Sequence, residues 1–303
     1  MSVGAAAAHR PAAQAWRIGG GAIAFEHGPV LMAIVNCTPD SFSDGGLWSG
    51  DAAVAHAQSC VRAGASIIDV GGESTRPGAR RIDADEQVRR TVGVIAGVCA
   101  WLRAEGRTDV AVSIDTTLAA VAAAALDAGA TIINDVSACT EDPGMAPLAA
   151  RTGAGVVLMH RVLDPTQDRW SHEHDRPLVE GDIVDAVVRE LAARVEAVAS
   201  CGVAREAIAV DPGLGFGKTV GQNLALLAGT DRLVATGQPV LVGASRKSFV
   251  GAVTGEQDPA HRVQGSVAMH LEAARLGAQV MRVHDVAEHA QAFAAWRAVR
   301  AAR

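Results

Sequence analysis

Eight short apolar runs recur along the 303-residue chain, each closing on a polar or charged residue. Residues 30–35 run into Asn36, residues 66–70 into Gly71-Gly72-Glu73-Ser74-Thr75-Arg76, and residues 110–114 into Asp115. Residues 130–133 lead to Asn134 and Asp135, residues 154–159 to His160 and Arg161, and residues 207–210 to Asp211. The last two runs, 239–243 and 278–281, lead to Ser245-Arg246-Lys247 and Arg282-Val283-His284. Ala- and Leu-rich stretches follow most runs, and they predict helices at 51–63, 84–104, 117–128, 181–200, 223–233, 260–276 and 286–299. Strand then helix, repeated, predicts an α/β protein built as a single (β/α)8 TIM barrel. Ahead of it, Gly19-Gly20-Gly21 separates two apolar pieces within residues 16–27, which predicts a short N-terminal β-hairpin plugging the lower end. Residues 1–15 are expected to be a disordered tail and residues 16–303 the barrel domain.

Two connections are longer than a turn needs: 36–50 after the first strand and 161–182 after the fifth. Loops of that length in a compact domain usually serve function or move. The first has the composition of a lid, and the shorter loop 73–81, with Pro77 and Gly78, is a second candidate lid.

Composition narrows the function classes. A net charge of −6 argues against a nucleic-acid partner, and 3% aromatic residues with no Tyr leave little for base stacking. The five cysteines are scattered and never in CxxC spacing, so reduced thiols and a cytoplasmic location are expected. No run is long and apolar enough to predict a membrane helix.

In a barrel, side chains at strand C-terminal ends share one mouth. Asp115 and Asp211 there would suit a ligand rich in N–H donors, such as a 2-amino-pyrimidinone ring forked onto a carboxylate. Asn134 offers both an acceptor and donors to complete such a ring. The competing reading of Asp115 is a helix cap ahead of Thr116-Thr117; eight polar strand ends together favour the ligand. Lys218, Arg246, Lys247 and Arg282 gather on the late loops with His284, where barrels often hold phosphate. Gly213-Leu214-Gly215-Phe216-Gly217-Lys218 fails the P-loop pattern because Pro212 stands where it needs glycine. Its glycines suit close approach of backbone to a planar ligand, with Phe216 as a wall. His172-Glu173-His174-Asp175 reads as a solvated loop rather than a metal cluster, while His160 is equally a ligand contact or a core histidine.

Taken together, these phrases resemble a known family. The segment 32–46, containing Asn36-Cys37-Thr38-Pro39-Asp40-Ser41-Phe42-Ser43-Asp44-Gly45-Gly46, resembles the first signature of the dihydropteroate synthases. Gly71-Gly72-Glu73-Ser74-Thr75-Arg76-Pro77-Gly78 resembles the second. Asp115-Thr116, Asn134-Asp135, Asp211-Pro212-Gly213, Ser245-Arg246-Lys247-Ser248 and Arg282-Val283-His284 follow in family order, so the resemblance covers about residues 30–295.

It implies an enzyme of folate biosynthesis joining p-aminobenzoate to 6-hydroxymethyl-7,8-dihydropterin diphosphate, with release of diphosphate. On this chain it implies that Asp115, Asn134, Asp211 and Lys247 hold the pterin, with Met159 among the substrate contacts. Asn36 would bind Mg²⁺ with the diphosphate, and Arg282 with His284 would hold the diphosphate itself. Thr75, Arg76 and Pro77, with Phe42 from the first lid, would close over the reaction. Phe216, Lys218 and Ser248 would border the p-aminobenzoate pocket, Ser248 meeting its carboxylate at a helix start. The implied chemistry is early loss of diphosphate to leave a pterin-stabilised cation, which the amine then attacks while closed lids keep water out. A homodimer is also implied.

Two departures stand out: Arg161-Val162-Leu163 and a longer polar loop replace the family's usual continuation after Met159-His160, and Cys37 replaces an aliphatic residue. Corrinoid-dependent methyltransferases share the barrel but need no diphosphate site, and a non-catalytic pterin-binding paralogue could lose its lids. Ser74-Thr75-Arg76-Pro77 and Ser245-Arg246-Lys247-Ser248 argue against both.

Overall fold

The computed structural model describes residues 12–38 and 50–302. Strands β1 (Ala15–Ile18) and β2 (Gly21–Ala24) form an antiparallel hairpin. Eight parallel strands follow: β3 (Val30–Asn36), β4 (Ile67–Gly71), β5 (Ala111–Asp115), β6 (Ile132–Asp135), β7 (Gly155–Met159), β8 (Ile208–Asp211), β9 (Leu241–Val242) and β10 (Val280–Val283). Their order is β8-β7-β6-β5-β4-β3-β10-β9, and a parallel bridge between Val210 and Val240 closes the ring. The expected TIM barrel is the fold observed.

Around it lie α1 (Gly50–Arg62), α2 (Ala84–Ala104), α3 (Ala119–Asp127), α4 (Met145–Thr152) and α5 (Ile183–Ser200). The second half adds α6 (Val220–Ala228), α7 (Thr230–Val234), α8 (Ser248–Thr254), α9 (Val263–Arg275) and α10 (Val286–Ala301). The helix expected at 223–233 is two helices, interrupted at Gly229, where an added Cβ would stand 2.8 Å from Val184. Helix α4 is absent from the sequence expectation, because Pro147 and its eight-residue length leave little periodic signal.

The hairpin does plug the lower end. Met32, Ile67, Ala111, Ile132, Val157, Ala209, Leu241 and Val280, one from each barrel strand, form a single buried layer with Trp16, Ile18, Ile23 and Phe25 of the hairpin region. Trp16 is fully buried and its Nε1–H donates to the Ala207 carbonyl at 2.9 Å. Alternation along a strand brings the second residue after each of these back to the interior. Those residues are Ile34, Asp69, Ser113, Asn134, Met159, Asp211, Gly243 and Arg282. The apolar floor is thus followed upward by a polar layer.

Candidate active site

Strand register brings the first set of groups level. Asn36 pairs with Gly71, Gly71 with Asp115, and Asp115 with Asn134 across β3 to β6. Asp69, one inward step below, is fully buried. Its Oδ2 accepts from Arg282 Nε at 2.7 Å and from Asn134 Nδ2 at 3.0 Å. Arg282 Nη2 donates to Asp115 Oδ2, also at 2.7 Å. Donating its amide N–H to Asp69 leaves Asn134 Oδ1 turned the other way, as an acceptor. Burial pushes the Asp115 carboxyl up to about 7; Arg282 opposes that rise, while Asp69 and Asp135 add to it. The capping alternative for Asp115 fails: α3 is capped at Leu118 without a side-chain bond, and Asp142 Oδ2 accepts from the Ala119 N–H.

Asp211 closes the same mouth from β8. Its Oδ1 accepts from the Gly213 N–H at 2.6 Å, and burial raises its carboxyl against the pull of Lys247 and Arg282. Gly213 has φ +65, and a Cβ there would sit 1.8 Å from the His160 carbonyl oxygen, so glycine is required. The Lys247 ammonium lies 4.2 Å from the centre of the Phe216 ring, and burial with Arg282 nearby pushes it down to about 8. Asp115 and Asp211 therefore share Arg282 and Lys247 as charged neighbours at one rim. Phe216 packs with Met159 and Val136 in a small buried cluster, the apolar wall of the mouth.

A second region is dominated by cations. Burial and then Arg246, Arg282, Lys247 and Arg76, in that order, push the His284 imidazole down to about 3. Neutral His284 is oriented by Ser245, whose Oγ lies 3.0 Å from Nδ1 and accepts the His284 backbone N–H at 3.1 Å. An imidazole beset by four positive groups marks a place that favours an anion. Arg246, with φ +58, is itself ion-paired to Asp285. Arg76 and Pro77 line a cavity of 460 Å³ above the β4 loop, together with Thr38, Glu73 and Arg90. Thr75 is half-buried in that loop, and the Gly78 N–H donates to the Pro165 carbonyl at 2.9 Å, so the second candidate lid rests on the fifth loop. Phe42 lies outside the described residues.

Lys218 stands differently from its sequence expectation as a pocket border. It is fully buried, and its ammonium donates to the carbonyls of Gly213, His160 and Phe216 at 2.8, 3.2 and 3.1 Å. An ammonium has three donors, so only its aliphatic stem is left to border a ligand. Burial pushes it down to about 7. Ser248 begins α8, and its Oγ accepts the Ser171 N–H at 3.2 Å. His160 is a core residue: it is 3% exposed, faces Glu190 at 3.3 Å, and is held down to about 3 by burial. The solvated reading of residues 172–175 is corrected at His174, whose buried side chain lies 3.2 Å from the Asp168 carboxylate.

Asp69 is the site residue that reading from strand ends passes over. Its signal was a charge in the middle of an apolar run, where a buried carboxylate requires partners.

The fold is an α/β barrel whose mouth sets buried carboxylates beside a group of cations, an arrangement able to hold a polar heterocycle bearing a negatively charged group. The family described as pterin binding enzyme matches residues 32–284. A dihydropteroate synthase of Neisseria meningitidis serogroup C is 41% identical over 275 residues, covering 89% of this chain and 93% of that protein. The dihydropteroate synthase of Xanthomonas albilineans solved with 4-aminobenzoic acid superposes with TM-score 0.85 at 40% identity, over 95% of this chain and 99% of that one. The same organism's enzyme in complex with 7,8-dihydropteroate gives TM-score 0.79 at 36% identity, again over 95% and 99%. The chain belongs to the pterin binding enzyme family, among its dihydropteroate synthases.

Proposed function

We infer that this chain is a transferase of folate biosynthesis that condenses 6-hydroxymethyl-7,8-dihydropterin diphosphate with p-aminobenzoate, giving 7,8-dihydropteroate and diphosphate. The observation that carries the reading is the 36–40% identity, over 95% of the chain, to synthase structures holding 4-aminobenzoic acid and 7,8-dihydropteroate. Asp115, Asn134 and Asp211 supply the acceptors that a pterin's ring N–H and amino groups require, and Lys247 donates to its carbonyl side. Phe216 and Met159 cover a flat ring. Arg282 and His284 bind the diphosphate at the end where negative charge grows as the carbon–oxygen bond breaks. The amine of p-aminobenzoate, bordered by Phe216, the Lys218 stem and Ser248, then attacks the methylene. Arg76, Thr75 and Pro77 close over the site with Phe42 and exclude water.

Asn36 is the protein ligand we propose for Mg²⁺. Asn36 is half-buried at the rim, level with Gly71 and Asp115, and its side-chain carbonyl is a hard oxygen donor that suits this ion. Among the described residues no cluster of three His, Cys, Asp or Glu forms a cage. That fits an ion carried largely by water and diphosphate oxygens. When bound, Mg²⁺ supplies charge neutralisation for the leaving group. A homodimer is proposed from the family resemblance, and its solution mass tests it. A cytoplasmic location is supported by five free cysteines, four of them buried. Among the described residues no helix is long and apolar enough to cross a membrane.

Diphosphate release measured with and without p-aminobenzoate tests the function. Release coupled to formation of dihydropteroate is expected; tight pterin diphosphate binding without turnover overturns it.

A further inference from the structure

The connection after β7 is not a solvated excursion but a bonded strap. Asp168 lies at its centre, with a side chain that is 1% exposed. Asp168 Oδ2 accepts the Gly217 N–H at 2.7 Å, and Oδ1 accepts the Arg169 N–H at 2.7 Å. The same Oδ1 lies 3.2 Å from His174 Nε2, so that nitrogen carries the proton. Loop and strap also touch sterically: a Cβ on Gly217, φ +66, would stand 2.6 Å from Val162. Three residues beyond Asp168, Ser171 donates its N–H to Ser248 Oγ and accepts Asn223 Nδ2 at 3.1 Å on its own hydroxyl. Asn223, fully buried, accepts the Gly215 N–H at 2.6 Å. One short segment therefore grips the glycine loop directly at 217, reaches 215 through Asn223, and holds the first residue of α8.

Resting on the synthase reading, we propose that residues 168–174 are a positioning clamp for the amine-substrate pocket, with Asp168 as its central residue. The clamp fixes the Phe216–Lys218 wall and the Ser248 wall relative to each other. Gly217 is held by Asp168 and Ser248 by Ser171, so the separation of the two walls is set by the two residues between those anchors, Arg169 and Trp170. The Ser171 N–H occupies one acceptor direction of the Ser248 hydroxyl and turns its hydrogen away from the strap. None of these bonds reaches Asp115, Asn134 or Asp211. The clamp consequently acts chiefly on recognition of the aromatic amine; of the pterin's neighbours it reaches only Phe216 directly, and Lys247 through the Phe216 ring.

The test uses the full chain and three variants: Asp168→Ala, His174→Ala and His174→Gln. His174→Ala keeps the carboxylate charge near Lys218 and Lys247, and glutamine restores an N–H donor to Asp168. Asp168→Ala and His174→Ala are expected to raise the KM for p-aminobenzoate about tenfold or more, since small misplacements of a binding wall carry such losses. In His174→Ala, which keeps the Asp168 carboxylate, the calorimetric Kd for pterin diphosphate stays within about twofold, and His174→Gln recovers most of the KM. A parallel loss of both affinities, or an unmoved p-aminobenzoate KM, overturns the clamp. Should Asp168→Ala fail to fold, the two His174 variants decide alone. A wild-type chain that makes no dihydropteroate overturns the functional reading instead, so the two failures are separable.

Discussion

Arg282 and Asp115 meet across the barrel mouth in a 2.7 Å charge-assisted hydrogen bond, although 167 residues separate them. The same guanidinium holds the fully buried Asp69 through Nε. A cation expected to serve the diphosphate is therefore also the counter-ion of two acids, Asp115 at the ring pocket and Asp69 beneath it. One side chain joins the two halves of the site, and its position depends on both.

Arg282→Ala should accordingly do more than remove a phosphate contact. Pterin diphosphate binding falls most, yet binding of the diphosphate-free pterin falls too, because Asp115 loses the charge that opposes its protonation. Stability drops by about 3–5 kcal/mol, the usual cost of leaving a buried charge without its partner. Calorimetry with both ligands and a denaturant titration check this. Unchanged affinity for the diphosphate-free pterin would show that the Asp115 pair does not act on the ring pocket.

The pH dependence follows from two groups. Asp115 is raised to about 7, so between its unfolded value and 7 the folded chain binds more protons than the unfolded one. This group's contribution to stability thus falls as pH rises towards 7. Ring binding runs the other way, since the ionised carboxylate is the better double acceptor. Lys247, lowered to about 8, loses its charge above that value. Pterin affinity should therefore be greatest between about 7 and 8 and decline on both sides, with proton uptake or release visible when calorimetry is repeated in buffers of different ionisation heat. Lys247→Arg should remove the alkaline decline.

Strand ends were legible in the sequence because each apolar run stops at a residue that must face solvent or ligand. Asp115, Asn134, Asp211 and Arg282 were found that way, and period-two alternation places three of them in one interior layer. Asp69 escapes because it lies inside its run, and its partners, Arg282 and Asn134, are known only once the strands stand side by side. Lys218 was found as a cation, but nothing in a glycine-rich phrase says that the ammonium folds back onto three carbonyls. The Asp168–His174 pair was equally hidden: polar residues in a long loop look solvated until the partner, Gly217, is known.

Lys218→Met keeps the stem and removes the ammonium. The carbonyls of His160, Gly213 and Phe216 then lose a buried donor, at about 1–3 kcal/mol for each left unsatisfied. Part of this is offset because the buried charge is gone. A net loss of about 2–4 kcal/mol is expected, together with a higher KM for p-aminobenzoate as the glycine loop loosens. Chemical denaturation and steady-state kinetics report the two effects separately.

Trp16→Ala tests whether the plug is purely structural. The indole is fully buried under the strand floor and donates to Ala207. A loss of about 3–5 kcal/mol is expected, as for other large core aromatics. Ligand affinities of the molecules that remain folded should be unchanged, because an apolar layer separates the indole from Asp69 and Arg282. A selective loss of pterin binding without a stability change would contradict that separation.

Asp211→Asn is the sharpest probe of the ring pocket, because the fold decides which way the amide must turn. The Gly213 N–H occupies Oδ1 at 2.6 Å and needs an acceptor there. Asparagine satisfies it with its carbonyl oxygen and so presents NH₂ to the ligand, donor against donor where the carboxylate had accepted. Turning the amide over would instead leave the Gly213 N–H facing NH₂, inside a loop whose glycine has no room to move. Backbone structure and stability should stay close to wild type, since the side chains are nearly the same size. Pterin affinity should fall at least about a hundredfold, the loss expected when a buried polar recognition group is mismatched. Calorimetry with the pterin alone checks it, and affinity within about threefold of wild type would remove Asp211 from the ring pocket.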